Sequence, residues 1–74
     1  MNIGIIGLGF VGLSFASVLA SKGYKVIGVD VDKIKVIQIS SGKTPFHEKD
    51  LDKTLQKGLK NGLVITNNVK KFYY

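Results

Sequence analysis

The chain contains no cysteine, no arginine and no tryptophan, and it has a single proline and a single histidine among its 74 residues. Without cysteine there is no disulfide, no thiolate nucleophile and no cysteine-based metal site. No uninterrupted apolar run reaches about 18 residues, which argues against a membrane-spanning helix. The first basic residue, Lys22, lies too far along the chain for a secretory leader with a charged start. These absences predict a cytoplasmic chain without a metal site or a membrane partner.

The positive charge of the chain comes from lysine alone. Eleven lysines stand against five carboxylates, which gives a formal net charge of +6. Four of the lysines recur at helical spacing in the third predicted helix: Lys49, Lys53, Lys57 and Lys60. A nucleic-acid-binding or protein-interaction surface could use such a stripe, but there is no arginine, and no aromatic residue interleaves with the lysines. The pattern is more typical of the solvated face of an amphipathic helix, so we expect no specific nucleic-acid partner.

Alternating strand and helix patterns predict an α/β fold. The predicted strands are 2–6, 24–31 and 63–66, and the predicted helices are 11–22, 33–41 and 48–60. This order, β-α-β-α-α-β, favours right-handed crossovers and a Rossmann-like parallel sheet. It corresponds to the first half of a doubly wound fold, so residues 1–74 are predicted to form one partial domain. We expect the first strand to be covered on both faces and the first helix to be mostly buried.

A glycine-rich motif, G-x-G-x-x-G, connects the first strand to the first helix through Gly7, Gly9 and Gly12. Gly7 suits a tight turn, Gly9 allows the backbone to approach a pyrophosphate, and Gly12 allows the helix to pack closely on the strand. The N–H groups around Phe10 and Val11 stand at the positive end of the helix and can hold phosphate oxygens. The motif follows a strand and opens a helix inside a βαβ unit, which predicts a dinucleotide site. The alternative is that the glycines serve tight packing alone.

A carboxylate, Asp30, ends the second predicted strand, where it can accept hydrogen bonds from the adenosine ribose hydroxyls. Because a carboxylate repels a 2′-phosphate and no arginine is present to bind one, the sequence favours NAD over NADP. Lys33 and Lys35 lie near enough to weaken that repulsion. The alternative for Asp30 is a role as a turn residue only. Asp32 is predicted to cap the second helix, and His47, alone in a loop, is predicted to be polar surface rather than a catalyst.

Three stretches of the sequence together carry a family resemblance. Residues 3–13, I-G-I-I-G-L-G-F-V-G-L, are similar to the pattern I-G-x-I-G-L-G-Y-V-G-L. Residues 28–36 follow the pattern G-V-D-x-D-x-x-K-V, and residues 42–48, G-K-T-P-F-H-E, follow G-x-[ST]-P-x-x-E. With these patterns, nearly the whole chain resembles the N-terminal NAD-binding segment of the UDP-glucose/GDP-mannose dehydrogenase family.

The resemblance implies an NAD-dependent oxidoreductase that oxidises the C6 alcohol of a nucleotide sugar to a carboxylate. It implies a set of residues that contact NAD: at the pyrophosphate Gly7, Gly9, Phe10, Val11 and Gly12, at the ribose Asp30, and beside the adenosine Lys35. The family's catalytic cysteine and lysine and its sugar-nucleotide domain lie beyond Tyr74, so we expect the chain alone to be inactive. A free-standing dinucleotide- or nucleotide-binding module is the alternative that uses the same glycines.

The predicted half fold leaves the first strand, Asn2–Ile6, at an edge of the sheet. A fourth strand would pair with this edge in a complete doubly wound fold, so here the edge is expected to be apolar and unpaired. Such an edge invites self-association, and we expect the chain to dimerise or aggregate through it. NAD affinity is expected to be weak, because only the adenosine and pyrophosphate half of the site is built.

Overall fold

The computed structural model describes residues 2–46, 48–68 and 70. The elements in chain order are β1 (Asn2–Ile6), α1 (Phe10–Ser21), β2 (Lys25–Val29), α2 (Lys33–Ser40), α3 (Lys49–Lys60) and β3 (Val64–Thr66). The predicted β-α-β-α-α-β order is confirmed, with each bound within about two residues of its expected place. The prediction for His47 lies outside the described residues, as does the side chain of Lys49.

The three strands form one parallel sheet in the order β1-β2-β3. Residues 2–6 pair in register with residues 25–29, and residues 27–29 pair with residues 64–66. The sheet confirms the predicted partial Rossmann-like α/β fold. Within the described part of the chain β1 pairs with β2 alone, so it forms one edge of the sheet.

The helix ends follow the local signals in the sequence. Asp32 caps α2, because its side chain accepts a hydrogen bond from the backbone N–H of Lys35 at 3.1 Å. The predicted N-cap is therefore confirmed. Gly23 follows α1 with a φ of +100°, which is the left-handed conformation expected for a glycine that ends a helix.

All three helices contribute to one hydrophobic core on one face of the sheet. The buried members of this core are Leu8, Leu13, Ala16, Ala20, Val26, Ile39, Leu51, Leu55 and Leu63. The contact between α1 and α3 is close because small residues meet there. A side-chain carbon on Gly58 would lie 3.0 Å from the Cβ of Ala20 and 3.3 Å from the carbonyl oxygen of Ser17. The hydroxyl of Ser17 is buried here and has no hydrogen-bond partner among the described residues.

The expectation that β1 is covered on both faces is wrong for this chain. Side chains alternate along a strand, and Ile3 and Ile5 pack against the helix core whereas Ile6 is 74% exposed. The expectation of a mostly buried α1 is wrong as well. Four large apolar side chains of this helix are exposed: Phe10, Val11, Phe15 and Val18. Both differences have one cause: the described helices share a core on a single face of the sheet, so Ile6 on the other face and the outer side of α1 stay exposed.

The amphipathic pattern predicted for α3 is confirmed where its side chains are described. Lys53, Lys57 and Lys60 are exposed, while Leu51 and Leu55 are buried in the core. Among residues 2–46, 48–68 and 70, no helix has the length and apolar character that crossing a bilayer requires.

Candidate dinucleotide-binding site

The glycine-rich turn leaves β1 in the way that its spacing predicts. Gly7 has a φ of +89°, and its N–H donates to the carbonyl oxygen of Val29 at 2.8 Å. A side-chain carbon on Gly12 would overlap the carbonyl oxygen of Gly7. Glycine is therefore required at both positions, once for the backbone conformation and once for the close approach of α1 to the turn.

In the first turn of α1, several backbone N–H groups have no hydrogen-bond acceptor among the described residues. Gly9 is the N-cap and offers no side-chain cap, and the first turn holds no acidic residue. Within the described residues no hydrogen bond is donated by the backbone N–H of Phe10, Val11 or Gly12. A side-chain carbon on Gly9 would meet nothing within 4 Å, so the space beside it is open. Free N–H groups, the helix dipole and open space together make a place for an anion.

Asp30 lies next to this turn, at the carboxyl end of β2, and is only 8% exposed. Its Oδ1 accepts from the N–H of Asp32 at 3.0 Å, and its Oδ2 accepts from the N–H of Leu8 at 2.8 Å. The largest influence on the pKa of Asp30 is the hydrogen bond from the N–H of Asp32, and the N–H of Leu8 and the ammonium of Lys35 act in the same direction. Together they outweigh the effect of burial and lower the pKa from 3.8 to about 2. The group is thus a fixed carboxylate at neutral pH.

Lys35 reaches Asp30 from the first turn of α2. Its Nζ lies 2.9 Å from Oδ2 of Asp30, and the side chain is partly exposed. Oδ2 thus accepts two hydrogen bonds and Oδ1 accepts one. Since a carboxylate has about four acceptor positions, the described residues leave one position on Oδ1 for a hydroxyl donor. The structure therefore brings together the two side chains that the sequence assigned to the adenosine end.

A groove of about 380 Å³ runs along the carboxyl ends of the strands, and its lining residues are Ile6, Gly7, Val29, Asp30, Val31 and Asn67. Asp30 also donates its N–H to the carbonyl oxygen of Thr66 at 3.1 Å, which ties the end of β2 to the end of β3. Ligands of open α/β sheets bind in this position, outside the carboxyl ends of the strands.

The loop between α2 and α3 reaches the same turn, which the sequence did not indicate. The rings of Phe10 and Phe46 are in edge-to-face contact, with centroids 5.5 Å apart and planes at 89°. The loop is tied to α3, because the N–H of Thr44 donates to Oδ1 of Asp52 at 2.8 Å and thereby lowers the pKa of Asp52. Asn67, which lines the groove, was also missed; its position directly after β3 was the available signal.

Each site residue predicted from the sequence lies around one turn. Gly7, Gly9, Phe10, Val11 and Gly12 form the strand-to-helix connection, and Asp30 and Lys35 stand beside it. A strand, a glycine-rich turn, a helix N-terminus and a carboxylate at the end of the adjacent strand define a dinucleotide-binding domain of the Rossmann type.

Comparison with known proteins identifies the family. The family model described as "UDP-glucose/GDP-mannose dehydrogenase family, NAD binding domain" matches residues 1–73. The chain belongs to this family, and NAD is the cofactor of the domain that it matches.

Relatives and solved structures agree with this assignment. The chain is 44% identical over 62 residues to GDP-mannose 6-dehydrogenase of Pseudomonas syringae pv. syringae, a match that covers 84% of this chain and 14% of the relative. It is similar to a crystal structure of a ternary complex of GDP-mannose dehydrogenase from Pseudomonas aeruginosa (TM-score 0.88, 43% identity, 96% of this chain and 16% of that one). It is also similar to the structure of UDP-D-ManNAc dehydrogenase from Pyrococcus horikoshii (TM-score 0.91, 36% identity, 97% and 18%). The chain thus spans about one seventh of the curated relative's length.

Proposed function

We propose that the chain binds the adenosine diphosphate half of NAD for a nucleotide-sugar dehydrogenase. The observation that carries the proposal is the set of backbone N–H groups at the start of α1 that find no acceptor among residues 2–46, 48–68 and 70, beside the fixed carboxylate of Asp30. The two groups match the two polar parts of the ligand, because the N–H groups suit a pyrophosphate and the carboxylate suits a ribose diol.

The roles of the residues follow from this placement. The N–H groups of Phe10, Val11 and Gly12 receive the pyrophosphate, while Gly9 leaves room for it. The free acceptor position on Oδ1 of Asp30 receives a ribose hydroxyl. A 2′-phosphate in the same place would meet the carboxylate, so NAD is favoured over NADP.

Lys35 is proposed to lie beside the adenosine and to keep Asp30 in its orientation through their ion pair. Lys35→Gln is expected to weaken NAD binding, whereas Lys33→Gln is expected to leave it nearly unchanged. The two lysines stand in the same turn of α2, but the hydrogen bond to Asp30 comes from Lys35. Equal effects of the two substitutions would show that only overall charge matters.

For the whole protein we propose the NAD-dependent oxidation of the C6 alcohol of a nucleotide sugar to a carboxylate. When bound, NAD would supply the hydride acceptor for this reaction. The support is the family membership together with relatives described as GDP-mannose 6-dehydrogenase and UDP-N-acetyl-D-mannosamine dehydrogenase. The chain itself has no cysteine, the residue that the resemblance assigns to catalysis, so it is proposed to be inactive alone. A cytoplasmic location belongs to the same proposal.

Isothermal titration with NAD and NADP tests the binding proposal. Wild type, Gly9→Val, Asp30→Asn and the control Asp50→Asn are compared at two salt concentrations, after circular dichroism has shown that each is folded. Gly9→Val fills the open space beside the turn and is expected to abolish NAD binding. Asp30→Asn is expected to weaken it about 10- to 100-fold, as the loss of a charged hydrogen-bond partner does. Asp50 is an exposed carboxylate of α3, so its substitution should change nothing. A folded wild type that binds neither nucleotide would refute the proposal.

We also propose that the chain self-associates through β1. The N–H of Gly7 points towards β2. Because the backbone groups of successive residues in a strand point alternately to its two sides, the N–H and C=O groups of Asn2, Gly4 and Ile6 point towards the free edge. Two copies can pair these edges in antiparallel fashion around Gly4. The exposed side chain of Ile6 adds apolar area to such a contact.

A further inference from the structure

The residues of the glycine-rich turn and of the first turn of α1 differ in how closely their side chains are packed. Gly7 and Gly9 contribute no side chains, and Leu8 between them is fully buried in the core. Beyond Gly9, Val11 is 67% exposed, whereas Phe10 contacts the ring of Phe46. The ring contact between Phe10 and Phe46 therefore restrains the start of α1 directly after Gly9, a residue whose lack of a side chain leaves its own backbone less restrained than that of other residues.

Phe46 is well placed to restrain Phe10, since its own backbone is fixed. Its carbonyl oxygen accepts from the hydroxyl of Thr44 at 3.0 Å and from the N–H of Glu48 at 2.9 Å. Thr44 is held in turn by Asp52 of α3. The side chain of Phe46 is partly buried against the hydrophobic core. The position of Phe10 is thus set through a loop that is anchored to α3.

We propose that Phe46 is a positioning residue for the pyrophosphate of the dinucleotide. Through the edge-to-face contact with Phe10, Phe46 holds the first turn of α1 where its free N–H groups meet the phosphates. In this proposal Phe46 acts through Phe10 and is not itself a ligand contact. The inference rests on the proposed NAD binding and adds to it a residue from the α2–α3 loop.

The inference predicts a selective effect on phosphate-bearing ligands. Phe46→Leu keeps an apolar side chain but removes the ring, and it is expected to weaken ADP binding about 3- to 10-fold, the range of an aromatic pair contact. Adenosine, which has no phosphate, is expected to bind equally well to this variant and to wild type. Phe46→Tyr retains the ring and should bind ADP as wild type does. Phe15→Leu, which removes an exposed ring from the same helix, is the matched control.

Titrations of the ¹⁵N-labelled chain with adenosine and with ADP, followed by NMR, measure both affinities and the amide shifts of Phe10, Val11 and Gly12. The inference predicts that ADP shifts these amides and that the shifts shrink in Phe46→Leu only. Equal ADP affinity in wild type and Phe46→Leu would overturn it, and so would an equal loss of ADP and adenosine binding, which marks a general structural role. A folded wild type that binds neither ligand would instead refute the proposed function.

Discussion

The backbone N–H of Leu8 donates to Oδ2 of Asp30 at 2.8 Å, and this hydrogen bond joins the glycine-rich turn to the end of β2. The carboxylate is therefore part of the fold before any ligand arrives. The same hydrogen bonds that orient it for the proposed ribose contact also make it a structural group, so the two roles considered for Asp30 from the sequence are compatible. Protonation of Asp30 would therefore affect the stability of the fold as well as the site.

Acid is predicted to remove the stability that Asp30 contributes. Its pKa in the folded chain is about 2, below its usual 3.8, so the contribution is present above about pH 4 and is lost as the pH falls towards about 2. Wild type is expected to lose about 1–2 kcal/mol more over this window than Asp30→Asn, which has no charge to titrate. Urea denaturation followed by circular dichroism at several pH values measures the difference. Parallel pH profiles for the two chains would contradict the prediction, and Asp50→Asn should follow wild type.

Alanine substitutions at Gly12 and Gly9 are predicted to act differently, the first mainly on the free energy of unfolding and the second mainly on NAD binding. A side-chain carbon at Gly12 would overlap the carbonyl oxygen of Gly7, so Gly12→Ala is expected to lower the free energy of unfolding by about 1–3 kcal/mol. Gly9 has a φ of −69° and open space beside it, so Gly9→Ala should cost less than about 1 kcal/mol. NAD titration of Gly9→Ala should nevertheless show weakened binding. A stable Gly12→Ala chain would mean that α1 can move away from β1.

Ser17 is predicted to be a position where the chain can be stabilised. Its buried hydroxyl has no partner among the described residues, and alanine is the better helix former. Ser17→Ala is therefore expected to raise the free energy of unfolding by about 1 kcal/mol. Ser14→Ala on the same helix is the control, because the hydroxyl of Ser14 donates to the carbonyl oxygen of Phe10 at 2.6 Å. Thermal and urea denaturation compare the two; a larger gain for Ser14→Ala would contradict this account.

Self-association through β1 is predicted to depend on Ile6. Ile6→Lys places a charge at the edge of a chain that already carries a net charge of +6, so it is expected to shift the chain towards monomer. Ile37→Lys adds the same charge to an exposed position of α2 and should have a much smaller effect. Sedimentation velocity over a range of protein concentrations measures the distribution. Monomeric wild type at all concentrations, or equal shifts in both variants, would exclude the edge as the contact.

Short-range signals in the sequence were sufficient to predict the helices, the strands and the glycine-rich turn. Asp32 could be predicted as a cap, and Gly23 as a helix end, because each depends on its immediate neighbours. The positions of Gly12 and Asp30 could be predicted because the βαβ geometry relates them by spacing alone. The family patterns added Lys35, which the structure places against Asp30.

Features that depend on distant contacts could not be predicted in this way. The meeting of Phe10 with Phe46 requires the path of the α2–α3 loop, which no periodicity in the sequence describes. Because Phe15 and Val18 are apolar, burying their side chains would lower the free energy of the chain. Their apolar character alone does not predict that both are exposed, since exposure depends on which other elements pack against α1. The hydrogen bond from Leu8 to Asp30 likewise depends on the side-chain rotamer of Asp30 and the exact turn after Gly7.

The carboxyl ends of the three strands are joined by consecutive backbone hydrogen bonds, from Gly7 to Val29 and from Asp30 to Thr66. A local opening at one of these bonds removes support from its neighbour, so the ends of the strands should open together. A ligand held at the turn would then suppress that shared opening. Amide hydrogen exchange at Gly7 and at Asp30 should consequently slow by a similar factor when NAD is added, although the two residues belong to different strands.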